Sequence, residues 1–170
     1  MNIRAASSSD AEAIARVHVL GWQHAYAQVL PADFLSSLSI ERRATMWAEA
    51  IEKQTQQLLV AEVEGEIVGF SAFGMCRDDD SVATDFEVWA IYLRASFLGT
   101  GAGRSLWLHS LSAMRIAGAK RATLWVLAEN ERAIRFYRAA GFAEDESSRK
   151  VVHIGGVSVD EIRYAQQIAG

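Results

Sequence analysis

The chain holds one cysteine, Cys76, one proline, Pro31, and no apolar run of membrane-spanning length. A lone cysteine forms no internal disulfide and offers no thiolate cluster for zinc. A membrane helix takes about 20 consecutive apolar residues, so no membrane association is expected. The opening residues, Met1-Asn2-Ile3-Arg4-Ala5, lack the basic-then-apolar plan of a secretory leader. Positive charge is also scarce. Lys and Arg number 17 against 21 Asp and Glu, a net charge of −4, which argues against nucleic acid as a partner. Together these absences favour the cytoplasm.

What is present suits a soluble enzyme-sized unit. The 170 residues are 51% hydrophobic and 22% charged, enough to build one core. No linker, low-complexity segment or repeat interrupts them, so residues 1–170 are read as a single domain.

The patterning gives an element order. Ile3-Arg4-Ala5 reads as a short strand, and Ser9-Asp10-Ala11-Glu12 has capping-box spacing for a helix. Ile14, Val17 and Gly21 share one helical face, while His18, Trp22 and Tyr26 follow at intervals of four on a neighbouring one. That aromatic line is either packing or the wall of a substrate pocket. Leu30-Pro31 ends the region. Ser39 caps a further helix whose stripe is Ile40, Ala44, Trp47 and Ile51. Strands Gln57–Val63 and Ile67–Met75 flank a tight turn, with Gly69 and Gly74 marking bulges or close approach. The acidic run Asp78-Asp79-Asp80 reads mainly as a solvated loop.

Asp85 to Leu93 is nearly continuous in apolar residues, the mark of a central strand covered on both faces. Glu87 interrupts it. A carboxylate there is costly unless it is paired, solvated by a cleft, or used. A helix follows over Gly103 to Ala117, then a buried strand over Ala122 to Leu127. Asn130 caps the next helix and Gly141 ends it. Two strands, Phe142 to His153 and Val157 to Ile168, close the chain around Ile154-Gly155-Gly156. The order describes a mixed α+β sandwich.

One stretch organises the rest: Ile91-Tyr92-Leu93-Arg94-Ala95-Ser96-Phe97-Leu98-Gly99-Thr100-Gly101-Ala102-Gly103-Arg104. Strand, glycine-rich turn and helix N-terminus together make a cradle for phosphates, because backbone amides converge and missing side chains allow close approach. Neither the Walker A loop nor the dinucleotide fingerprint fits, since both need glycine where Arg104 stands. An ordinary flexible turn is the remaining plain reading. A second signature lies downstream. Leu124 to Leu127 is an apolar strand, followed by Asn130, Ala133, Phe136-Tyr137 and Gly141-Phe142.

Gly99-x-Gly101-x-Gly103 resembles the pyrophosphate loop of the GCN5-related N-acetyltransferases, the GNAT family. The downstream signature is similar to that family's next motif and stands in register with it. Glu87-Val88-Trp89-Ala90-Ile91-Tyr92 also looks like a run seen in many relatives, and the likeness spans nearly the whole chain. It implies an α+β fold with a mixed, largely antiparallel central sheet flanked by helices. It further implies a transferase that moves the acetyl group of acetyl-CoA to a primary amine by direct attack in a ternary complex. The acceptor is then an amine-bearing small molecule or a protein N-terminus, and a homodimer is a further expectation.

The resemblance also assigns roles. Backbone groups of Ile91, Tyr92 and Leu93 hold the pantetheine arm, and an amide there can steady the oxyanion. Leu98, Gly99, Thr100, Gly101, Ala102, Gly103 and Arg104 take the pyrophosphate. Asn130 contacts the cofactor. Tyr137 is the general acid for the departing thiolate, since a phenol is protonated at neutral pH. Glu87 is the candidate base or substrate-orienting group, with Asp85 the fallback and His18 the only histidine in a suggestive setting. Leu98 departs from the pattern, because the family usually has Gln or Arg there. That removes one donor, for which Arg94 or Arg104 can compensate. A non-catalytic coenzyme A-binding sensor, or an enzyme using a longer acyl donor, stays open at this point.

Overall fold

The computed structural model describes residues 1–168. Its strands are β1 (Asn2–Ala5), β2 (Gln57–Val63), β3 (Glu66–Met75), β4 (Asp85–Leu93), β5 (Arg121–Leu127), β6 (Ala143–Ile154) and β7 (Val157–Gln167). The helices are α1 (Ala11–Ala25), α2 (Ala32–Ser36), α3 (Ile40–Glu52), α4 (Ala102–Ile116) and α5 (Glu131–Ala139). The strands form one sheet in the order β1-β2-β3-β4-β5-β7-β6. Every neighbouring pair is antiparallel except β4–β5. The expected mixed, largely antiparallel α+β sheet is what the chain forms.

Helices cover both faces, which explains the unbroken apolar run of the central strand β4. On one face Ile14 and Val17 of α1 and Trp47 of α3 pack on Val60, Phe70 and Ala72. On the other, Trp107, Leu111 and Met114 of α4, joined by Phe136 and Tyr137 of α5, pack on Phe73, Phe86, Val88 and Leu124. Two hairpins are fixed by positive backbone φ: Glu64 and Gly65 turn β2 into β3, and Gly155 and Gly156 turn β6 into β7. Gly69 lies beside a register slip between β2 and β3. A Cβ on Gly74 would come within 3.0 Å of the Trp89 ring. Both glycines therefore serve the close approach their sequence setting suggested.

Two expectations need correction. The capping box lies two residues earlier than Ser9–Glu12. The Ser7 amide donates to Asp10 Oδ2 at 2.7 Å across a 3-10 turn, Ser8–Asp10, that precedes α1. Arg4 explains the shift, because its guanidinium bonds both Asp10 oxygens at 2.7 and 2.9 Å and fixes that carboxylate in place. The acidic run is also not a plain solvated loop. Arg163 of β7, buried, donates to Asp78 at 3.1 Å, to Asp80 at 2.7 and 2.6 Å, and to Asp145 at 2.9 Å. Asp78 also accepts from Trp125 Nε1 at 3.0 Å. Linear sequence cannot reveal a cation 83 residues away from Asp80.

Removing one member of a buried charge cluster leaves the others uncompensated, at a cost of roughly 3 kcal/mol or more. Arg163→Leu is therefore expected to lower the free energy of unfolding by about that amount, read as a lower urea midpoint with an unchanged slope.

Candidate active site

β4 and β5 run parallel but pair over only three positions, Asp85↔Arg121, Phe86↔Ala122 and Glu87↔Thr123. Beyond Glu87 they separate. The Arg94 amide donates to Val68 of β3 at 2.8 Å. Successive residues of a strand turn their backbone groups to opposite edges. Ile91 and Leu93 therefore present N–H and C=O toward the gap from which β5 has withdrawn. Opposite the Ala72/Phe73 step β4 also carries a bulge, with Trp89 as the extra residue between Val88 and Ala90. The bulge breaks the in–out alternation of the strand and re-aims the side chains around it.

The gap opens into a cleft of about 480 Å³. Ile91, Tyr92, Leu93, Leu98, Gly99, Gly101, Gly103 and Arg104 line it from β4, the loop and α4, and Asn130 and Tyr137 line it from α5. Thr100 and Ala102 belong to the same loop without lining the cleft. The Thr100 hydroxyl donates to Phe97 O at 2.8 Å, and Ala102 is buried in the first turn of α4. Gly99 and Gly101 have φ of 78° and 91°, where a side chain is strained. Gly103 has another role, since a Cβ there would press on Leu93 and Phe136 at 3.3 Å.

Helix termini differ in a telling way. Ser39 caps α3 by accepting from the Arg42 amide at 3.1 Å, and Asn130 caps α5 by accepting from Ala133 at 3.2 Å. The N-cap of α4 is Gly101, with no side-chain bond. The first-turn amides of this 15-residue helix have no partner within the helix, and Gly101, Gly103 and Arg104 here line the cleft. A helix N-terminus of this kind binds anions through its amides and its dipole. Arg104 is exposed at the rim, whereas Arg94 is engaged by Glu66 at 3.0 Å. Of the two candidates to replace the donor missing at Leu98, only Arg104 lines the cleft.

Tyr137 packs its ring between Phe136 and Phe142 at centroid distances of 5.3 and 5.8 Å. Its hydroxyl makes no hydrogen bond among the described residues. Burial, and then the neighbouring Tyr26, push this phenol above its ordinary value, so it keeps its proton throughout the neutral range. Across the cleft, Tyr26 Oη and Tyr92 Oη lie 3.2 Å apart. Glu87 lies elsewhere. It is buried and held by Arg77, which donates to Oε1 at 2.6 Å and to Oε2 at 3.0 Å. With Trp89, Trp125 and Lys150 it lines a separate groove of about 360 Å³. Asp85 is buried against Arg121 at 3.4 Å.

A family model described as the Acetyltransferase (GNAT) family matches residues 22–142. The chain belongs to this family. The uncharacterized N-acetyltransferase YuaI of Bacillus subtilis is 29% identical over 163 residues, 95% of this chain and 90% of that protein. The ribosomal-protein-alanine N-acetyltransferase of Brucella melitensis superposes with a TM-score of 0.77 at 22% identity, over 98% of this chain and 99% of that one. The structure of yncA from Salmonella typhimurium with its cofactor acetyl-CoA gives 0.76 at 21%, over 100% and 95%. At such identities the superpositions speak for the fold. The family and the named relatives make this GNAT protein an acetyltransferase. Among its described residues, no helix is long and apolar enough to cross a membrane.

Sequence reasoning missed part of this GNAT cleft. Gly21, His24 and Ala25 of α1 line it, as do Arg132, Ala133 and Phe136 of α5. Arg132 Nη1 lies 3.1 Å from His24 Nε2, which puts a basic pair at the rim. Gly21 carried a signal, being a glycine inside a helix: a Cβ there would come 2.9 Å from Tyr92 Cδ1. The helical line His18-Trp22-Tyr26 proves to be both packing and wall. His18 stacks on Tyr92 at 5.2 Å and, with Trp22, lines a second pocket of about 510 Å³. Tyr92 is common to both spaces.

His18 is buried, and its Nδ1 accepts from Trp47 Nε1 at 3.3 Å. Burial, and then Arg43, lower its pKa from 6.5 to about 3. Between those values the unfolded chain takes up a proton that the folded chain refuses. This contribution to stability is complete above pH 6.5 and lost as pH falls toward 3, by up to roughly 3–5 kcal/mol. His18→Asn keeps an acceptor for Trp47, and its stability–pH curve is expected to be flatter over that window in urea titrations.

Proposed function

We propose that the protein transfers the acetyl group of acetyl-CoA to a primary amine, on a small molecule or a protein N-terminus, by direct attack with donor and acceptor bound together. The observation that carries this reading is one cleft combining the free edge of β4, the uncapped N-terminus of α4 and the unbonded hydroxyl of Tyr137. Acetyl-CoA, when bound, supplies the acetyl group as a thioester open to attack by an amine. Ile91 and Leu93 bind along the strand edge, where their amides can also donate to developing negative charge. Tyr92 forms the wall behind them. The segment Leu98 to Arg104 holds the pyrophosphate through its backbone amides, with Arg104 at the rim, and Asn130 braces the opposite side while capping α5.

Tyr137 holds a proton on Oη and delivers it to the leaving sulfur. Its raised pKa keeps Oη protonated at neutral pH. Direct transfer is supported by the position of Cys76, the only cysteine. Its Sγ lies 3.4 Å from Thr123 Oγ1 and lines neither cleft, away from Tyr137 and the β4 edge. Both oxygens of Glu87 are taken by Arg77, which gives Glu87 an orienting role first. It serves as proton acceptor only through the groove that it lines with Trp89.

Turnover of acetyl-CoA with an amine panel tests the reading. Stabilisation by the cofactor without turnover of any amine would instead make the protein a coenzyme A-binding module. Tyr137→Phe is expected to lower kcat by about 10² or more while retaining coenzyme A affinity. For Glu87→Gln, an orienting role predicts a raised acceptor KM with an unshifted pH–rate profile. A base role predicts a lower kcat and loss of the acidic limb.

A further inference from the structure

The 510 Å³ pocket between α1, α3 and β4 has a chemical bias that acetyl transfer alone does not explain. Its walls are aromatic: His18, Trp22, Trp47, Trp89 and Tyr92. Its charged lining is three cations, Arg43, Lys53 and Arg77, against one carboxylate, Glu49, and Arg77 is itself paired with Glu87. Arg43 lies with its guanidinium 5.6 Å from the Trp22 ring centroid and forms no ion pair among the described residues. Arg77 sits 4.5 Å over Trp89 and Lys53 stands at the rim, whereas Glu49, the carboxylate lining the pocket, is bonded to Lys53 at 3.0 Å. His18 adds no charge, being kept neutral by burial.

Two indole N–H groups on these walls are buried without a hydrogen-bond partner among the described residues, Trp89 Nε1 and Trp22 Nε1. That of Trp22 lies toward the Tyr92 oxygen without reaching full hydrogen-bond geometry. That of Trp89 has no partner among the described residues. A buried donor left unsatisfied costs free energy, and an acceptor supplied by a ligand recovers it. An unpaired guanidinium on an aromatic face, lining one pocket with an unsatisfied indole donor, is the complement of a carboxylate attached to an apolar body.

We infer that this pocket selects acceptor amines that also carry a carboxylate, which Arg43 and the Trp89 N–H bind while the apolar part of the acceptor lies on the aromatic walls. This rests on the acetyltransferase reading for the acceptor's role, not for the anion preference itself. Tyr92, the wall shared with the acetyl-CoA cleft, sets the direction. The carboxylate sits between Arg43 and Trp89, and the amine points toward Tyr92, facing the cleft. Arg43 and Trp89 are thus specificity-determining residues, outside the group that does the chemistry.

The test uses matched pairs, phenylalanine, methionine and leucine, each against the amine lacking its carboxylate. Two readouts apply to the whole 170-residue chain: kcat/KM with acetyl-CoA, and tryptophan fluorescence titration in the presence of coenzyme A. The expectation is that each acid binds at least tenfold more tightly than its amine. Arg43→Met should bring the acid-to-amine ratio near one, and Trp89→Phe, which keeps a ring but removes the N–H, should lower it severalfold. Equal or weaker binding of the acids, or an unchanged ratio in both variants, overturns the inference. If amines without carboxylates are acetylated as well as the acids, the inference fails and the transferase reading survives. If the acids bind selectively but nothing is acetylated, the transferase reading fails and the anion selectivity stands.

Discussion

The structure depends on a sheet that stops pairing with itself. A parallel strand pair normally satisfies backbone donors and acceptors along its length, yet β4 and β5 share only three positions before they part. The exposed edge of β4 must then find partners in solvent or in a ligand, because unpaired backbone groups are costly when buried. α4 adds a second set of free donors at the point where β4 ends. Edge and helix terminus are joined by the short segment Arg94 to Gly101. Their relative placement is therefore set by the chain itself, before any side chain is considered.

The two clefts on either side of Tyr92 are kept apart by aromatic packing. His18 stacks on Tyr92, Trp47 bonds His18, and Tyr26 bonds Tyr92 through its hydroxyl. Such a wall is stiff and carries few charges. The charged residues are tied down by long-range pairs instead. Arg77 fixes Glu87, and Arg163 fixes Asp78, Asp80 and Asp145. These pairs hold the 77–84 loop against β5 and β7, so the loop is anchored by buried electrostatics.

Much of the lining of the β4–α4 cleft was legible in the sequence because it is local. Gly99 and Gly101 are needed for φ values that other residues resist, Asn130 caps the helix it begins, and Ile91 and Leu93 lie a few residues from the loop they serve. The residues missed were remote. Gly21 and His24 come from α1 and Arg132 from a helix face that sequence periodicity treats as plain surface. Glu87 shows the limit from the other side. Its burial was readable from the apolar run around it, but its partner Arg77 was not, because a hairpin-like return brings them together.

By itself, the sequence determined the order of elements, the caps of α3 and α5, the glycine loop and the family to which they belong. Each is a matter of neighbours in the chain and of backbone conformations few residue types can adopt. Tertiary structure alone decided that β5 leaves β4 after Glu87, that Asp78 and Asp80 serve Arg163, and that Arg43 and Trp89 share a pocket. Those outcomes depend on which distant groups burial forces together, and on which donors and charges it leaves without a partner. The glycine loop is a local feature that the chain carries in its own order, while the opposite pocket exists only once α1, α3 and β4 are packed.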